Sequence, residues 1–298
     1  MKVLAIESSC DDTSFSIVSN EKSIDFIKTI NHRKFHKKHG GVIPEIAARQ
    51  HLDIMDYLQK SIKKLDFKKI DAIAATYGPG LIGGLIVGSS FAKGLSIGKQ
   101  KKLIPINHLQ AHLLSPRLTS SLSFPYLCLL VSGGNTALVL VKNPKKFITL
   151  GSTIDDSAGE CFDKVSKALG LGYPGGPIIE KLALKGDRYK YKLPLPLTKV
   201  KNCNFSFSGL KTAAIDIINK NKSNKKFIEN FCASFQYTVG EIFKKKIGNS
   251  LDVMHNDGIK FKDFSICGGV AANQYLNQLI RDFIIEKKIN FHQVPLSL

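Results

Sequence analysis

The chain opens with a pattern of apolar and polar positions that predicts a β-hairpin. Residues 3–6 are an apolar strand, residues 7–12 a polar turn, and residues 13–18 a strand in which apolar and polar side chains alternate. The same plan recurs at residues 127–131, 132–135 and 136–141. Two halves that each begin with such a hairpin predict a duplicated α/β domain with a ligand between its halves. Two unrelated hairpins are the alternative.

Strands and helices alternate between and after the two hairpins. The pattern predicts strands at residues 70–75, 102–106 and 264–267, and helices at residues 81–98, 163–169, 178–184 and from Ala271 onward. This alternation is typical of an α/β fold. We expect one domain over residues 1–125 and a second over residues 126–298.

Length and composition narrow the class of protein. A length of 298 residues fits two domains, at roughly 150 residues each, and 43% hydrophobic with 22% charged side chains excludes a fibre or a linker. Lys and Arg number 43 against 24 Asp and Glu, a formal net charge of +19, which predicts a polyanion or an acidic surface as partner. An AT-rich genome is the alternative source of this charge, because Lys, Ile and Asn are over-used in runs such as residues 219–226.

Cysteine usage and hydropathy indicate a compartment. The six cysteines are scattered and form no CxxC, which argues against a disulfide framework and a Cys-based zinc site. The N-terminal apolar run is too short for a signal peptide, and no stretch is long enough to span a membrane. We therefore expect a cytoplasmic protein with free thiols and no membrane partner.

Three short glycine runs lie after strands or before helices, where backbone N–H groups can approach an anion. They are Ser132-Gly133-Gly134, Gly175-Gly176-Pro177 and Gly268-Gly269. Each alone fits an ordinary tight turn, whereas the three together favour a nucleotide or another phosphate ligand. No GxxxxGK[ST] occurs, and no GxGxxG follows the first strand, which argues against a P-loop NTPase and a dinucleotide dehydrogenase.

Histidine spacing predicts a metal site. His108 and His112 stand at i and i+4, so a helix would place both imidazoles on one face at a separation that one metal ion accepts. A second pair, His32 and His36, is surrounded by basic residues that would repel a cation. The residues between His108 and His112 lack the glutamate of an HExxH metallopeptidase.

Two pairs of carboxylates follow polar turns. Asp11 and Asp12 lie at the tip of the first hairpin, and Asp155 and Asp156 occur in the second half. In a cleft, such side chains hold a metal-bound water or position a nucleophile. At a hairpin tip they commonly solvate the turn, and the residues alone leave both interpretations open.

A series of longer motifs is specific enough to indicate a family. In chain order they are residues 7–13 (ESSCDDT), 39–51 (HGGVIPEIAARQH), 78–81 (GPGL), 107–112 (NHLQAH), 131–136 (VSGGNT), 155–164 (DDSAGECFDK), 173–177 (YPGGP), 205–211 (FSFSGLK) and 268–273 (GGVAAN). Over essentially the whole chain, this combination resembles the TsaD family, the tRNA N6-adenosine threonylcarbamoyltransferases.

The resemblance implies a fold and a set of binding residues. The fold is the duplicated actin-like ATPase (ASKHA) fold, an α/β architecture with two lobes around a nucleotide cleft. His108 and His112 are implied as ligands of one divalent metal ion, iron or zinc. Residues matching the family's nucleotide-binding positions are Val131, Ser132, Gly133, Gly134, Asn135, Asp163, Gly176, Glu180 and Asn273. Most relatives have His where Asn135 stands. Many have Asp where Glu180 stands, and the carboxylate of either Asp or Glu can accept hydrogen bonds from ribose hydroxyls.

The implied reaction transfers a threonylcarbamoyl group from threonylcarbamoyl-AMP to N6 of adenosine 37 in tRNAs that read codons beginning with A. The amine attacks a mixed-anhydride carbonyl and AMP leaves, while Asp11 or Asp12 would orient or deprotonate the amine. The metal would polarise the threonylcarbamoyl group. The implied nucleotide ligand is threonylcarbamoyl-AMP or ATP. The implied partners are tRNA and TsaB-like and TsaE-like proteins.

Two other functions stay open. An ASKHA-type ATPase or sugar kinase would share the fold without needing the HxxxH pair. The second possibility is a truncated, catalytically impaired scaffold of the same tRNA-modification machinery. The motive for it is that the chain stops at residues 294–298. Relatives continue into Cys-Thr-Asp-Asn, whose Asp supplies a further metal ligand, and then into a closing helix.

Overall fold

The computed structural model describes residues 1–20, 22–36, 41–62, 66–221 and 224–294. The chain divides into two compact units, Met1–Ala111 and His112–Leu298. The division falls ahead of the boundary at residues 125 and 126 that the second hairpin marks. His39 and Gly40 of the second motif, and residues 295–298, lie outside the described residues.

The N-terminal unit is built on a five-stranded mixed sheet. Its strands are β1 (Lys2–Glu7), β2 (Asp12–Ser19), β3 (Ser23–Asn31), β4 (Ala72–Gly78) and β5 (Lys102–Asn107), in the order β3-β2-β1-β4-β5. Its helices are α1 (Arg33–His36), α2 (Pro44–Ile62) and α3 (Ile82–Lys99), with a 3₁₀ turn at Phe67–Lys69. In β2, Phe15 and Ile17 are buried while Ser14 and Ser16 are less so, as the alternating pattern predicts.

The C-terminal unit has a second five-stranded sheet with longer helices. Helix α4 (His108–Leu114) contains the division between the units. The strands are β6 (Tyr126–Val131), β7 (Thr136–Asn143), β8 (Lys146–Ser152), β9 (Asp263–Cys267) and β10 (Asn290–Gln293), in the order β10-β9-β6-β7-β8. The remaining helices are α5 (Pro116–Thr119), α6 (Ala158–Ala168), α7 (Gly175–Ala183), α8 (Ser208–Lys220), α9 (Lys225–Asn256) and α10 (Gln274–Glu286), with a 3₁₀ turn at Gly269–Ala272.

The two sheets have the same topology. In each, the first three strands form an antiparallel meander, and the fourth strand pairs in parallel with the first. The fifth strand then adds in parallel to the fourth. This equivalence confirms the duplicated α/β fold that the repeated hairpin predicts.

Three helices begin three or more residues away from the start that the sequence pattern predicts, and hydrogen bonds at each N-terminus explain the difference. Helix α6 begins at Ala158, not at residue 163, because the Ser157 hydroxyl accepts from the amide of Glu160 at 3.1 Å. Helix α7 begins at Gly175, whose amide donates to the Asp163 carboxylate at 2.7 Å. Helix α10 begins at Gln274 after a 3₁₀ turn, and Asn273 is its N-cap.

Helix α9 forms the centre of the C-terminal core. It is 32 residues long and buries aromatic side chains such as Phe231, Phe235 and Phe243. It also buries Lys246, whose ammonium group donates to the carbonyls of Leu197 (2.8 Å) and Asn202 (3.0 Å), to that of Val200, and to the side chain of Asn202. A buried charge needs such partners, so Lys246 fixes the irregular chain at residues 197–202.

The six cysteines are unbridged. Five of them are buried, and Cys128 and Cys267 on neighbouring strands have sulfur atoms 3.5 Å apart. None of the described helices combines the length and the apolar character needed to cross a membrane.

Replacing Lys246 tests its role in holding this chain. Lys246→Met removes all the hydrogen bonds that this charged donor makes to the chain at residues 197–202, so we expect it to lower the free energy of unfolding by about 3 kcal/mol. Lys245→Met alters the exposed neighbouring lysine and should change stability by less than about 0.5 kcal/mol. Urea unfolding followed by circular dichroism measures both, and equal effects of the two variants would contradict the assignment.

Candidate functional site

Polar side chains gather where three parallel strands of the N-terminal sheet end. Glu7 closes β1, Thr76 lies near the end of β4, and His108 follows β5. Because these strands are parallel neighbours, their carboxyl ends meet at one edge of the sheet. Glu7 accepts hydrogen bonds there from the Ser9 amide (2.6 Å), the Ser9 hydroxyl (2.5 Å) and the Thr76 hydroxyl.

Glu7 and Ser9 orient Nδ1 of His108. Burial raises the pKa of Glu7, but the hydrogen bond and charge of His108, with the hydrogen bonds of Ser9 and Thr76, outweigh it and lower the pKa to about 2. Nδ1 of His108 lies 3.1 Å from the Ser9 hydroxyl and 3.4 Å from Oε2 of Glu7. The Ser9 hydroxyl already donates to Glu7, so it accepts from Nδ1, and the neutral form of the imidazole then has its lone pair on Nε2.

Both histidines predicted to bind a metal lie on helix α4. His108 is its first residue and His112 follows one turn later, so the two share a face of the helix. Both are partly exposed. Within the described ranges, no three His, Cys, Asp or Glu side chains come close enough together to hold a metal ion.

Of the predicted catalytic residues, Asp11 ends the turn between β1 and β2, and Asp12 is the first residue of β2. Both are partly exposed. The carbonyl of Asp11 accepts from the amide of His32 at 2.9 Å, and the carbonyl of Cys10 lies 3.2 Å from Nε2 of His51. The backbone amide of His32 and the side chain of His51 thus contact the backbone of this turn.

Thr13 joins these two histidines. Its hydroxyl is 2.9 Å from Nε2 of His32 and 2.7 Å from Nδ1 of His51, and all three residues are buried. Burial, followed by the nearby His51 and His36, lowers the pKa of His32 to about 4, so His32 is neutral at pH 7. His32, the first member of the second histidine pair, therefore supports the turn that carries Asp11 and Asp12.

In the C-terminal unit, the turn of the second hairpin carries five of the predicted substrate residues. Val131 ends β6 and is buried, whereas Gly133 and Gly134 are exposed. The amide of Ser132 donates to the carbonyl of Asn135 at 2.7 Å, and the amide of Asn135 donates to the Ser132 hydroxyl at 3.1 Å. These bonds close the turn on itself and leave the two glycine residues facing solvent.

Two other glycines allow neighbouring backbone to approach this turn. A side chain on Gly159 of α6 would place Cβ 2.6 Å from the carbonyl oxygen of Ser132 and 2.8 Å from Cα of Gly133. Gly268 has φ of +93°, and a Cβ there would lie 2.5 Å from the carbonyl oxygen of Val131. Only glycine fits both positions without displacing the turn.

The other four predicted substrate residues lie on the elements around this turn. Asp163 of α6 accepts from the amide that opens α7, the helix that carries Gly176 and Glu180. Glu180 accepts from the amide of Gln274 at 2.6 Å, and Asn273 donates to the side chain of Gln236 at 2.8 Å. All nine predicted residues therefore lie within a single unit, on the hairpin turn, on helices α6 and α7, and at the start of α10.

Asp155 and Asp156 hold the start of α8. Asp155 accepts from the Ser206 hydroxyl at 2.5 Å and the amide of Phe207 at 2.8 Å. Asp156 pairs with Lys211 (2.5 Å) and Lys164 (3.2 Å). Burial raises the pKa of Asp156, but these two lysines outweigh it and lower the pKa.

Sequence reasoning gave no role to Glu7, Ser9 or Gly159, which the structure places next to predicted site residues. Glu7 ends β1, which pairs with β4, and β4 in turn pairs with β5, the strand that precedes His108, so the sheet order is the signal that would reveal Glu7. Gly159 gives no such signal, since a glycine in the first turn of a helix fits many roles.

Comparison with known proteins assigns the chain to a family. The family model "TsaD: tRNA N6-adenosine threonylcarbamoyltransferase" matches residues 26–298. A protein named tRNA N6-adenosine threonylcarbamoyltransferase from Wolbachia sp. subsp. Brugia malayi is 47% identical over 99% of this chain and 88% of its own length. One from Orientia tsutsugamushi (strain Boryong) is 49% identical over 94% of this chain and 84% of its own length.

Solved structures support the fold. HypF from T. kodakarensis superposes with a TM-score of 0.66 at 13% identity, over 100% of this chain and 45% of its own. Component A of (R)-2-hydroxyglutaryl-CoA dehydratase from Acidaminococcus fermentans superposes with a TM-score of 0.55 at 14% identity, over 100% of this chain and 93% of its own. These likenesses concern the fold alone, and they confirm the actin-like ASKHA architecture. The sequence matches go further, and on them the chain belongs to the TsaD family of tRNA N6-adenosine threonylcarbamoyltransferases.

Proposed function

We propose that the chain transfers the threonylcarbamoyl group of threonylcarbamoyl-AMP to N6 of adenosine 37 in tRNAs that read codons beginning with A. The observation that carries the proposal is the grouping of nine predicted substrate residues around the Ser132–Asn135 turn and the starts of α6, α7 and α10. Helix N-termini and exposed glycine amides favour an anion such as the phosphate of AMP.

The C-terminal unit would bind the nucleotide, either threonylcarbamoyl-AMP or ATP. The exposed backbone of Gly133 and Gly134 suits contact with a phosphate, and Gly176 lies in the first turn of α7. The carboxylates of Asp163 and Glu180 can accept hydrogen bonds from ribose hydroxyls. Both side chains already accept from backbone amides, which fixes their orientation.

His108 and His112 would supply two ligands to a divalent metal ion, iron or zinc. The donor set fits, because imidazole suits both metals and a carboxylate behind a metal-bound histidine selects the tautomer with its lone pair on the outer nitrogen. Glu7 and Ser9 have this relation to His108. When bound, such an ion polarises a carbonyl group.

The acyl transfer itself needs an activated amine. N6 of adenosine attacks the carbamoyl carbon, the carbon–oxygen bond to the phosphate breaks, AMP leaves, and N6 gives up a proton. Asp11 or Asp12 would orient the amine or accept that proton, since both residues are partly exposed and their backbone is bonded to His32 and neighbours His51. The partners we propose are tRNA and TsaB-like and TsaE-like proteins, in the cytoplasm.

An assay of tRNA-dependent AMP release tests the proposed function. With threonylcarbamoyl-AMP and a tRNA that carries adenosine 37, we expect AMP and the modified nucleoside in equal amounts, whereas a kinase or ATPase would not depend on tRNA. Asp11→Asn should lower turnover by about 10²-fold or more. Asp53→Asn, an exposed change on α2, is the matched control. Unchanged turnover in Asp11→Asn would remove Asp11 from the mechanism.

Glu7→Gln tests the support of the metal site. The amide lacks the negative charge that holds the Nδ1 proton of His108, so we expect metal affinity to fall about 10-fold to 100-fold, measured by competition with a chelator. Glu45→Gln, at an exposed salt bridge on α2, should leave affinity unchanged.

The same carboxylate gives a pH dependence of folding. Because the pKa of Glu7 is lowered from 4.5 to about 2 on folding, its stabilisation is complete above pH 4.5 and is lost as the pH falls towards 2. In the Glu7→Gln variant, the free energy of unfolding should lack this loss between pH 4.5 and about 2, as acid unfolding would measure. If the Glu7→Gln variant bound the metal with wild-type affinity, the proposed support of His108 by Glu7 would be wrong.

Gly159→Ala tests whether close backbone approach shapes the nucleotide site. The added methyl group would meet the Ser132 carbonyl at 2.6 Å, so the turn must move, and we expect AMP affinity to fall about tenfold or more. Gly209→Ala changes the second residue of α8, where the nearest atom is 3.8 Å away, and should not affect binding. Isothermal titration with AMP measures both variants, and equal affinities would overturn this account of the turn.

A further inference from the structure

A long irregular connection in the C-terminal unit carries a concentrated positive charge. Helix α7 ends at Ala183 and α8 begins at Ser208, and the chain between them forms neither helix nor strand. Its first 18 residues, 184–201, contain six Lys or Arg and one acidic residue, Asp187. We call residues 184–201 the basic segment. Connections of such length inside a compact domain are uncommon and usually functional.

Helix α9 fixes the backbone of the basic segment from beneath. The amide of Asp187 donates to the side chain of Asn230 at 2.9 Å, and the amide of Tyr191 donates to the Ser234 hydroxyl at 3.1 Å. Further along, Lys246 holds the carbonyls of Leu197 and Val200. Asn230, Ser234 and Lys246 are all buried, so the segment is built into the fold and is not a loose loop.

The charged side chains of the segment face the opposite way, into solvent. The exposed basic residues are Lys185, Arg188, Lys190, Lys192, Lys199 and Lys201. In the part of the chain that the structure describes, no carboxylate forms an ion pair with any of these lysines. These basic side chains are therefore exposed on a fixed backbone, and among the described residues their lysines are not paired with carboxylates.

An aromatic platform lies within the same surface. The Arg188 guanidinium is 4.9 Å from the ring centroid of Tyr189 and 5.5 Å from that of Tyr237, and the two rings are 5.3 Å apart. Tyr189 is 66% exposed. Rings and guanidinium groups of this kind, next to lysines, are what unpaired bases stack on in single-stranded RNA.

Both ends of the irregular connection adjoin predicted nucleotide-binding residues. It leaves from α7, which carries Gly176 and Glu180. Near its far end, the carbonyl of Phe205 accepts from the amide of Ile154 at 3.0 Å, in the turn before α6. Ser157 of that turn donates to the carbonyl of Gly133 at 2.5 Å. An RNA held by the basic segment would thus lie near the C-terminal site.

We propose that the basic segment, with Tyr237, is a surface that binds the tRNA substrate. The lysines contact its phosphates, and the face formed by Tyr189 and Arg188 stacks on an unpaired base. This inference rests on the proposed function for the identity of the RNA. An acidic protein partner is the rival occupant, but a surface that joins unpaired lysines to an exposed aromatic platform fits a nucleic acid better.

Binding of a tRNA transcript, without the transfer reaction, tests the surface. The variant changes Lys190, Lys192, Lys199 and Lys201 to Gln. We expect affinity to fall about tenfold or more and the slope of log K against log salt to fall by about 3, as the loss of four phosphate contacts requires. The control changes Lys145, Lys146, Lys260 and Lys262 to Gln, four exposed lysines of the same unit. It should keep the wild-type slope to within about 1.

Two changes of one tyrosine test the stacking. Tyr189→Ala removes the ring and should weaken binding to the tRNA about tenfold, with no change in the salt slope, because no charge is lost. Tyr189→Phe keeps the ring and should bind like the wild type. Thermal melting of each variant verifies that the fold is retained.

The outcomes separate this surface from the reaction. Selective loss of affinity in the segment variants supports the surface even if the chain transfers no threonylcarbamoyl group, in which case only the proposed function fails. Equal losses in the segment and control variants would overturn the surface in favour of diffuse charge. Wild-type tRNA affinity in the segment variants, or no tRNA binding by the unaltered chain, would overturn it as well.

Discussion

Buried polar side chains on helix α9 must find hydrogen-bond partners, and this requirement organises the C-terminal unit. An unpaired polar group in such a core costs free energy comparable to the whole contribution of a hydrogen bond. Gln236 satisfies its side chain with Asn273 at the start of α10. Asn230, Ser234 and Lys246 satisfy theirs with the backbone of the basic segment. One helix therefore fixes both a predicted nucleotide residue and the charged surface beside it.

The hairpin turns of both units lie in close backbone contact with glycine. In the N-terminal unit, a Cβ on Gly80 or Gly84 would meet the carbonyl oxygen of Ser9 or Ser8 within 2.5 Å. In the C-terminal unit, Gly159 and Gly268 approach the carbonyls of Ser132 and Val131 as closely. The polar groups at the two turns differ, because the first carries carboxylates and the second carries exposed glycine amides. This difference matches the roles we propose, since exposed amides suit a phosphate and oriented carboxylates suit an amine.

Much of this fold could be predicted from the residues, because the repeated hairpin at residues 3–18 and 127–141 indicates equivalent sheets. Helix α9 could not be predicted in the same way. It is buried on nearly all sides, with polar residues such as Lys246 in its core, so no apolar stripe marks it. The metal-site histidines follow from their spacing and most predicted substrate residues from family motifs. The support from Glu7 needs the sheet order, and the approach of Gly159 needs three-dimensional contact.

The fixed backbone of the basic segment also has an entropic consequence. A flexible basic tail loses conformational freedom when it binds RNA, and ordering each residue costs about 1–2 kcal/mol. Here the amides of Asp187 and Tyr191 are already bonded to α9 in the free protein, so much of that cost is met during folding. Less of the binding free energy is then lost to ordering the chain, and the lysines extend from a backbone whose shape is set before the RNA binds.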